Sequence, residues 1–150
     1  MAYAPGGVTD PGGPHLHAAL ICERLLTEQD GVVSAIRLID RIFMLTDAHD
    51  EPINPQYQCT LLLSFKAGAA RGSFNVEIVR ENPSVERSSV LTAPVYFEGE
   101  DRGANLVVNM LFESAGAGLY WFDVLFEGER VTRIPLRVIY QRAPQLPTDD

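Results

Sequence analysis

The sequence predicts an all-β fold, an antiparallel β-sandwich of about eight strands. Three observations predict it. Apolar and polar residues alternate with period two in seven of eight extended segments. Turns marked by Gly or Pro separate the segments every 8 to 14 residues. Strands do not alternate with helical patterns, so a parallel sheet is not expected. The 150 residues suit one domain. At that length a chain buries roughly 68–70% of its unfolded surface, so the core needs no metal or disulfide.

Residues 1–14 hold four Gly and three Pro and bury too little apolar surface to offset their ordering entropy. They are expected to form a flexible arm. The domain is expected over 15–142, with a frayed tail over 143–150. Residues 16–26, LHAALICERLL, fit a helix face through Ala18, Ile21, Cys22 and Leu25. They fit a strand equally well through Leu16, Ala18, Leu20 and Cys22. The β-branched run over 32–45 and the Asp30-Gly31 turn signal decide for a hairpin of two strands. A polar loop follows over 46–56. The strand over 57–65 turns Tyr57, Cys59, Leu61, Leu63 and Phe65 inward. The strand over 73–80 turns Phe74, Val76 and Ile78 inward, and the one over 105–112 turns Leu106, Val108, Met110 and Phe112 inward. Pro94, in the segment 88–97, and Pro135 each mark an edge, which favours a sandwich over a barrel.

The last two strands form the most regular stretch, GAGLYWFDVLFEGERVTRIPLRVIY over 116–140. Tyr120, Phe122, Val124 and Phe126 alternate with Leu119, Trp121, Asp123 and Leu125. Joining the two core faces through a Gly128-Glu129-Arg130 loop sets Phe122 opposite Leu136, Val124 opposite Ile134 and Phe126 opposite Thr132. On the outer face Trp121 then meets Arg137, Asp123 meets Pro135 and Leu125 meets Arg133. Two readings follow. The face satisfies itself, with an arginine stacked on the indole. Alternatively it is a partner surface, because Trp and Arg are hot-spot residue types and Leu119, Trp121 and Leu125 exceed what a one-sided strand needs. The candidate partner-binding residues are Leu119, Trp121, Leu125, Arg133 and Arg137.

The opening CERLLTEQDGVVSAIRLIDRI and the closing GLYWFDVLFEGERVTRIPLRV resemble a family of bacterial proteins of unknown function. The matching residues are Cys22, Glu23, Gly31, Ser34, Asp40, Gly118, Tyr120, Phe122 and Gly128. The resemblance covers most of 16–140 and implies an immunoglobulin-like or C2-like sandwich. It implies no reaction.

Twelve basic against twenty acidic residues leave a net charge of −8, which disfavours generic nucleic-acid binding. No apolar run reaches membrane-spanning length, and the first residues lack a signal-peptide pattern. A cytoplasmic protein with reduced thiols is expected. Cys22 and Cys59 lie inward by period, where burial makes a thiol inert. His15 and His17 share a strand face, and with His49 they would make a metal site only if the 46–56 loop folded over the first strand. Asp47, Asp50 and Glu51, with Glu98, Glu100 and Asp101, would bind Ca²⁺ only if both loops met at one end. Nucleotide-binding, zinc-protease and nucleophile-elbow motifs are absent.

The expectation is therefore a non-enzymatic interaction or assembly module without metal or cofactor. It would offer a sheet face or edge to a protein partner or to itself. The alternative is a calcium- or small-ligand-binding sandwich that uses its acidic end loops.

Overall fold

A computed structural model describes residues 13–145. The expected tail reaches beyond these, and of the expected arm only residues 13 and 14 lie inside them. Nine strands follow in order: β1 (His15–Thr27), β2 (Val33–Leu38), β3 (Arg41–Thr46), β4 (Gln56–Lys66), β5 (Gly72–Glu81), β6 (Arg87–Phe97), β7 (Ala104–Glu113), β8 (Gly118–Phe126) and β9 (Glu129–Arg142). They form a four-stranded sheet, β2-β1-β4-β7, and a five-stranded sheet, β3-β9-β8-β5-β6. The fold is an all-β sandwich. No helix occurs among the described residues, so none is long and apolar enough to cross a membrane.

Four sequence expectations change. The run 32–45 is two strands rather than one. Arg37, at φ 56°, and the residues after it turn the chain out of the first sheet, and Asp40 O accepts from Arg137 N at 3.0 Å in the second. β3 then pairs with β9 in parallel, while the other ladders are antiparallel. β1 carries a register shift between Leu16 and Ala18. That shift puts Leu16 and then Ala19 and Ile21 on the core side, which explains why a strand pattern and a helix pattern fitted the segment equally well. It also aligns Cys22 with Thr60 rather than with the Leu61 row, so Cys22 is buried but not on the core face. Finally, β9 is an interior strand. Pro135 is tolerated there because β3 begins its pairing only at Arg137, which leaves that flank of β9 unpaired. Pro94 does lie on an edge strand, β6.

The core holds the residues that the alternation put inside. Cys59, Leu61, Leu63 and Phe65 of β4 face Val76 and Ile78 of β5 and Tyr120, Phe122, Val124 and Phe126 of β8. Tyr120 is fully buried. Its hydroxyl donates to Gly116 O at 2.6 Å and accepts from Ala115 N at 2.8 Å. This is the tyrosine corner that sandwich domains use to lock the entry of a strand. Gly118 starts the same strand at φ 134°, and a Cβ there would meet Pro83 at 3.0 Å. The Gly-x-Tyr-x-Phe motif is thus a packing requirement.

Candidate functional site

The hairpin β8–β9 turns through two residues, Glu127 and Gly128, both with positive φ (51° and 83°). That is the turn whose twist matches paired strands. The expected three-residue loop is therefore corrected, and a register shift between Val124 and Leu125 absorbs the extra residue. The pairing moves by two positions: Asp123 lies opposite Arg133 and Trp121 opposite Pro135, while Leu119 faces Arg137.

This register builds a closed ring of charge on the outer face of the five-stranded sheet. Arg133 Nε donates to Asp123 Oδ1 at 2.6 Å, and its Nη2 donates to Glu81 Oε2 at 2.9 Å. Arg87 Nη1 donates to Glu81 Oε1 at 3.1 Å, and its Nη2 lies 3.0 Å from Asp123 Oδ2 as an ion pair out of line for a hydrogen bond. Arg130 adds a contact to the same oxygen at 3.8 Å. The Arg133 guanidinium also sits over the Trp121 ring, 4.7 Å from its centroid. Asp123 is fully buried although it points away from the core. Burial opposes its charge, but the Arg133 hydrogen bond and the Arg87 guanidinium outweigh that and hold the carboxyl below its ordinary range. Each carboxylate oxygen of Asp123 and Glu81 faces an arginine, so neither acid is a free base.

Of the predicted contact residues, Leu119, Trp121, Leu125 and Arg133 are half-buried and Arg137 is exposed. The stacking arginine is Arg133 and not Arg137, because of the register change.

The opposite outer face is different in kind. Across β1, β4 and β7 the rows Ala18–Ser64–Asn105 and Leu20–Leu62–Val107 carry no charge. The next row, Leu38–Cys22–Thr60–Asn109, carries none either. Leu38 is 69% exposed, Leu111 61% and Val107 42%. This face is not among the contact residues that the sequence predicts. Its signal was the runs Leu61–Leu63 and Leu106–Val108, in which an apolar residue occupies the position that alternation reserves for solvent.

The ligand candidates separate. Register sets Gln56 of β4 beside Glu113 and Phe65 beside Ala104. The loops 47–55 and 98–103 therefore lie at opposite ends of the sheet, about 30 Å apart at strand rise. The single-ended Ca²⁺ arrangement is corrected on that ground. Asp47 caps its own turn by accepting from His49 N and Glu51 N, Asp50 pairs with Arg142, and Glu98 pairs with Arg102. His15 pairs in register with Lys66, at the end opposite His49, so the three histidines do not converge. Among the described residues no group of three or more metal-ligating side chains forms. Burial pushes both thiols up, Cys59 to about 11.

No family model matches the chain, and no curated protein matches it. Solved structures of similar course include two from Pseudomonas. One is the alkylpurine DNA glycosylase AlkC of Pseudomonas fluorescens bound to DNA containing an abasic-site analog, 9% identical, with a TM-score of 0.46 over 87% of this chain and 33% of that one. The other is an immunoglobulin-like protein of Pseudomonas aeruginosa, 9% identical, with a TM-score of 0.43 over 83% of this chain and 95% of that one. This chain thus spans about a third of the glycosylase. The first similarity corrects the expectation of a non-enzyme, since a chain of this course forms part of an enzyme. At this identity and TM-score it carries no activity across. Of the family resemblance, what stands is the coarser statement, an all-β sandwich with an immunoglobulin-like structural neighbour.

Proposed function

We propose that this chain is an interaction or assembly module of the immunoglobulin-like kind, within the bacterial family that its motifs resemble. Its contact surface is the outer face of the four-stranded sheet. One observation carries the reading: three uncharged rows cross β1, β4 and β7 of a chain with net charge −8, and exposed Leu38, Val107 and Leu111 stand on and beside them. Exposed apolar surface free of charge matches the centre of protein interfaces, which is depleted of charge.

A second reading keeps the hairpin face, with Leu119, Trp121, Leu125, Arg133 and Arg137. What favours it is the neighbouring strand β3, where Phe43 and Leu45 are about half exposed and Arg41 lies in register with Arg137.

The test is light scattering and Nile red fluorescence on the wild type, on Leu38→Ser with Leu111→Ser, and on Trp121→Ala with Arg137→Ala. The expected result is loss of self-association, or of dye binding, in the first double variant while it stays folded. The same loss in the second double variant instead would move the surface to the hairpin. A monomer whose dye binding neither pair changes would end the interaction reading.

A further inference from the structure

Four strands border the two sheets: β2 and β7 in one, β3 and β6 in the other. Open sheet edges are hazards, and proteins block them with short strands, Pro, bulges or positive charge. Three of these edges are blocked. β2 has six residues, and Arg37 leaves strand geometry at φ 56°. β3 also has six, and the following loop folds back on it through a Thr46–Pro52 bridge and the Ile53 N to Leu45 O bond of 2.9 Å. β6 carries Pro94, and its ladder to β5 is irregular between Ile78 and Val79.

β7 is not blocked. It runs ten residues, ANLVVNMLFE, without Pro, Lys or Arg. Its ladder with β4 is continuous from Glu113 to Ala104. Its only charge, Glu113, sits at the end. A cleft of about 310 Å³ opens along the same edge between Val90 and Leu91 of β6 and Val108, Met110 and Phe112 of β7, so apolar surface continues around the border, interrupted by the Arg80 guanidinium that sits over Phe112.

The outward residues of β7 read Asn105, Val107, Asn109, Leu111, Glu113. The pattern is polar, apolar, polar, apolar, polar, and it is symmetric about Asn109. An antiparallel copy centred there sets Val107 opposite Leu111, Asn109 opposite Asn109, and Asn105 opposite Glu113. Every apolar residue meets an apolar one, and no two acids meet. Shifting the centre by one residue either way sets Asn109 opposite Val107 or Leu111, and one of those shifts sets Val107 against Glu113. An amide opposite an identical amide can both give and take a hydrogen bond. Asn109 Oδ1 already accepts from Thr60 Oγ1 at 3.1 Å, which leaves its NH₂ group to donate across the seam.

We infer that β7 pairs antiparallel with β7 of a second copy of this chain, centred on Asn109, to give a two-fold dimer with one continuous eight-stranded sheet. The inference rests on the interaction-module reading and names its partner. Closed two-fold dimers are the commonest assembly, and self-complementarity of one patch is what they require.

The test uses full-length protein, each variant checked by circular dichroism for an unchanged fold. The mass of the wild type is expected at twice 16.5 kDa. Asn109→Cys is expected to cross-link to itself with diamide, because facing residues lie ~4.5–5.5 Å apart at Cα, within disulfide reach. Asn105→Cys is expected not to, since the two copies of that position fall more than about 20 Å apart at strand rise. The native Cys22 and Cys59 are buried and give little background. Leu111→Lys, on an exposed position, is expected to yield folded monomers. A wild-type monomer overturns the dimer, and the dye result above then decides separately whether the interaction reading survives. A wild-type dimer that Leu111→Lys leaves intact, with Asn109→Cys unlinked, overturns β7 as the seam and leaves the interaction reading standing.

Discussion

The two outer faces of the sandwich are built by the same alternation and end in opposite states. On the five-stranded sheet the outward positions hold Asp123, Glu81, Arg87 and Arg133, and these close on one another beside Trp121. On the four-stranded sheet the outward positions hold Leu20, Leu62, Val107 and Leu38, and nothing in the described chain covers the last two. An aromatic residue in an outward strand position is a poor guide to a free surface when the paired strand carries an arginine within reach, as β9 carries Arg133. An uncharged row of aliphatic residues is a better one, because it has no way to satisfy itself.

The sharpest way to break this comparison is Asp123→Ala. Removing one member of a buried pair leaves the others uncompensated, and the partly exposed arginines place the loss at about 3 kcal/mol, the low end for such pairs. Urea unfolding checks it, and a loss below measurement error would mean that the ring does not hold the face together. The same group carries a pH signature. Its carboxyl titrates lower in the folded chain than in the unfolded one. Its stabilisation is therefore complete above the unfolded value of about 3.9 and is lost as pH falls through the folded value. Asp123→Asn is expected to remove that part of the acid sensitivity, which a urea series from neutral to acid pH records.

Next in size is Tyr120→Phe. The Ala115 N–H loses its acceptor and the Gly116 carbonyl its shorter donor, keeping Ser114 Oγ at 3.3 Å, at about 1–2 kcal/mol. The hairpin start is expected to exchange its amide hydrogens faster. Equal exchange in both proteins would show that the corner does not position β8.

Smaller again is the contact between Arg133 and Trp121. A double-mutant cycle with Trp121→Ala and Arg133→Ala is expected to return a coupling of about 0.5–1 kcal/mol. A coupling of zero would free Trp121 for an outside partner and weaken the contrast between the faces. The smallest effect belongs to the open face. Leu38→Ser is expected to shift stability by no more than about 0.5 kcal/mol, as for a surface position without fixed partners. A larger loss would mean that Leu38 is covered in solution.

Much of the fold was legible. Alternation in 57–65, 73–80, 105–112 and 118–126 assigned the core side of four strands correctly, because a strand buried on one face has no other way to arrange its apolar residues. Three things were hidden, each for a local reason. The single extra residue at His17 reverses the phase of β1, and a one-residue slip is invisible to composition. The sheet change at Arg37–Asp40 depends on one positive φ in a residue type that does not announce it. The hairpin register turned on whether Glu127 or Gly128 opened the turn, and both conformations fit the same letters. The candidate surface was half legible. The residues of the hairpin face follow from alternation, but the pairing expected for them was two positions off, and the observed pairing decides that Asp123 is a buried anchor. The aliphatic face was written in the runs Leu61–Leu63 and Leu106–Val108, which resemble ordinary core until the register says which leucine points out.

The parallel ladder between β3 and β9 has a consequence for synthesis. β3 leaves the ribosome among the first strands, yet its partner is the last strand of the domain. Until Arg137–Arg142 emerges, Arg41–Thr46 has no sheet to join, and its alternate apolar residues wait in the open. Non-local pairing of this kind folds slowly, over milliseconds to seconds. A chain arrested before β9 would hold most of the sandwich but neither close its second sheet nor hide Ile42 and Met44. Of the early strands, β3 is therefore the one whose ladder depends on the end of the chain, and truncation from the C-terminus should expose a segment made more than half a chain earlier.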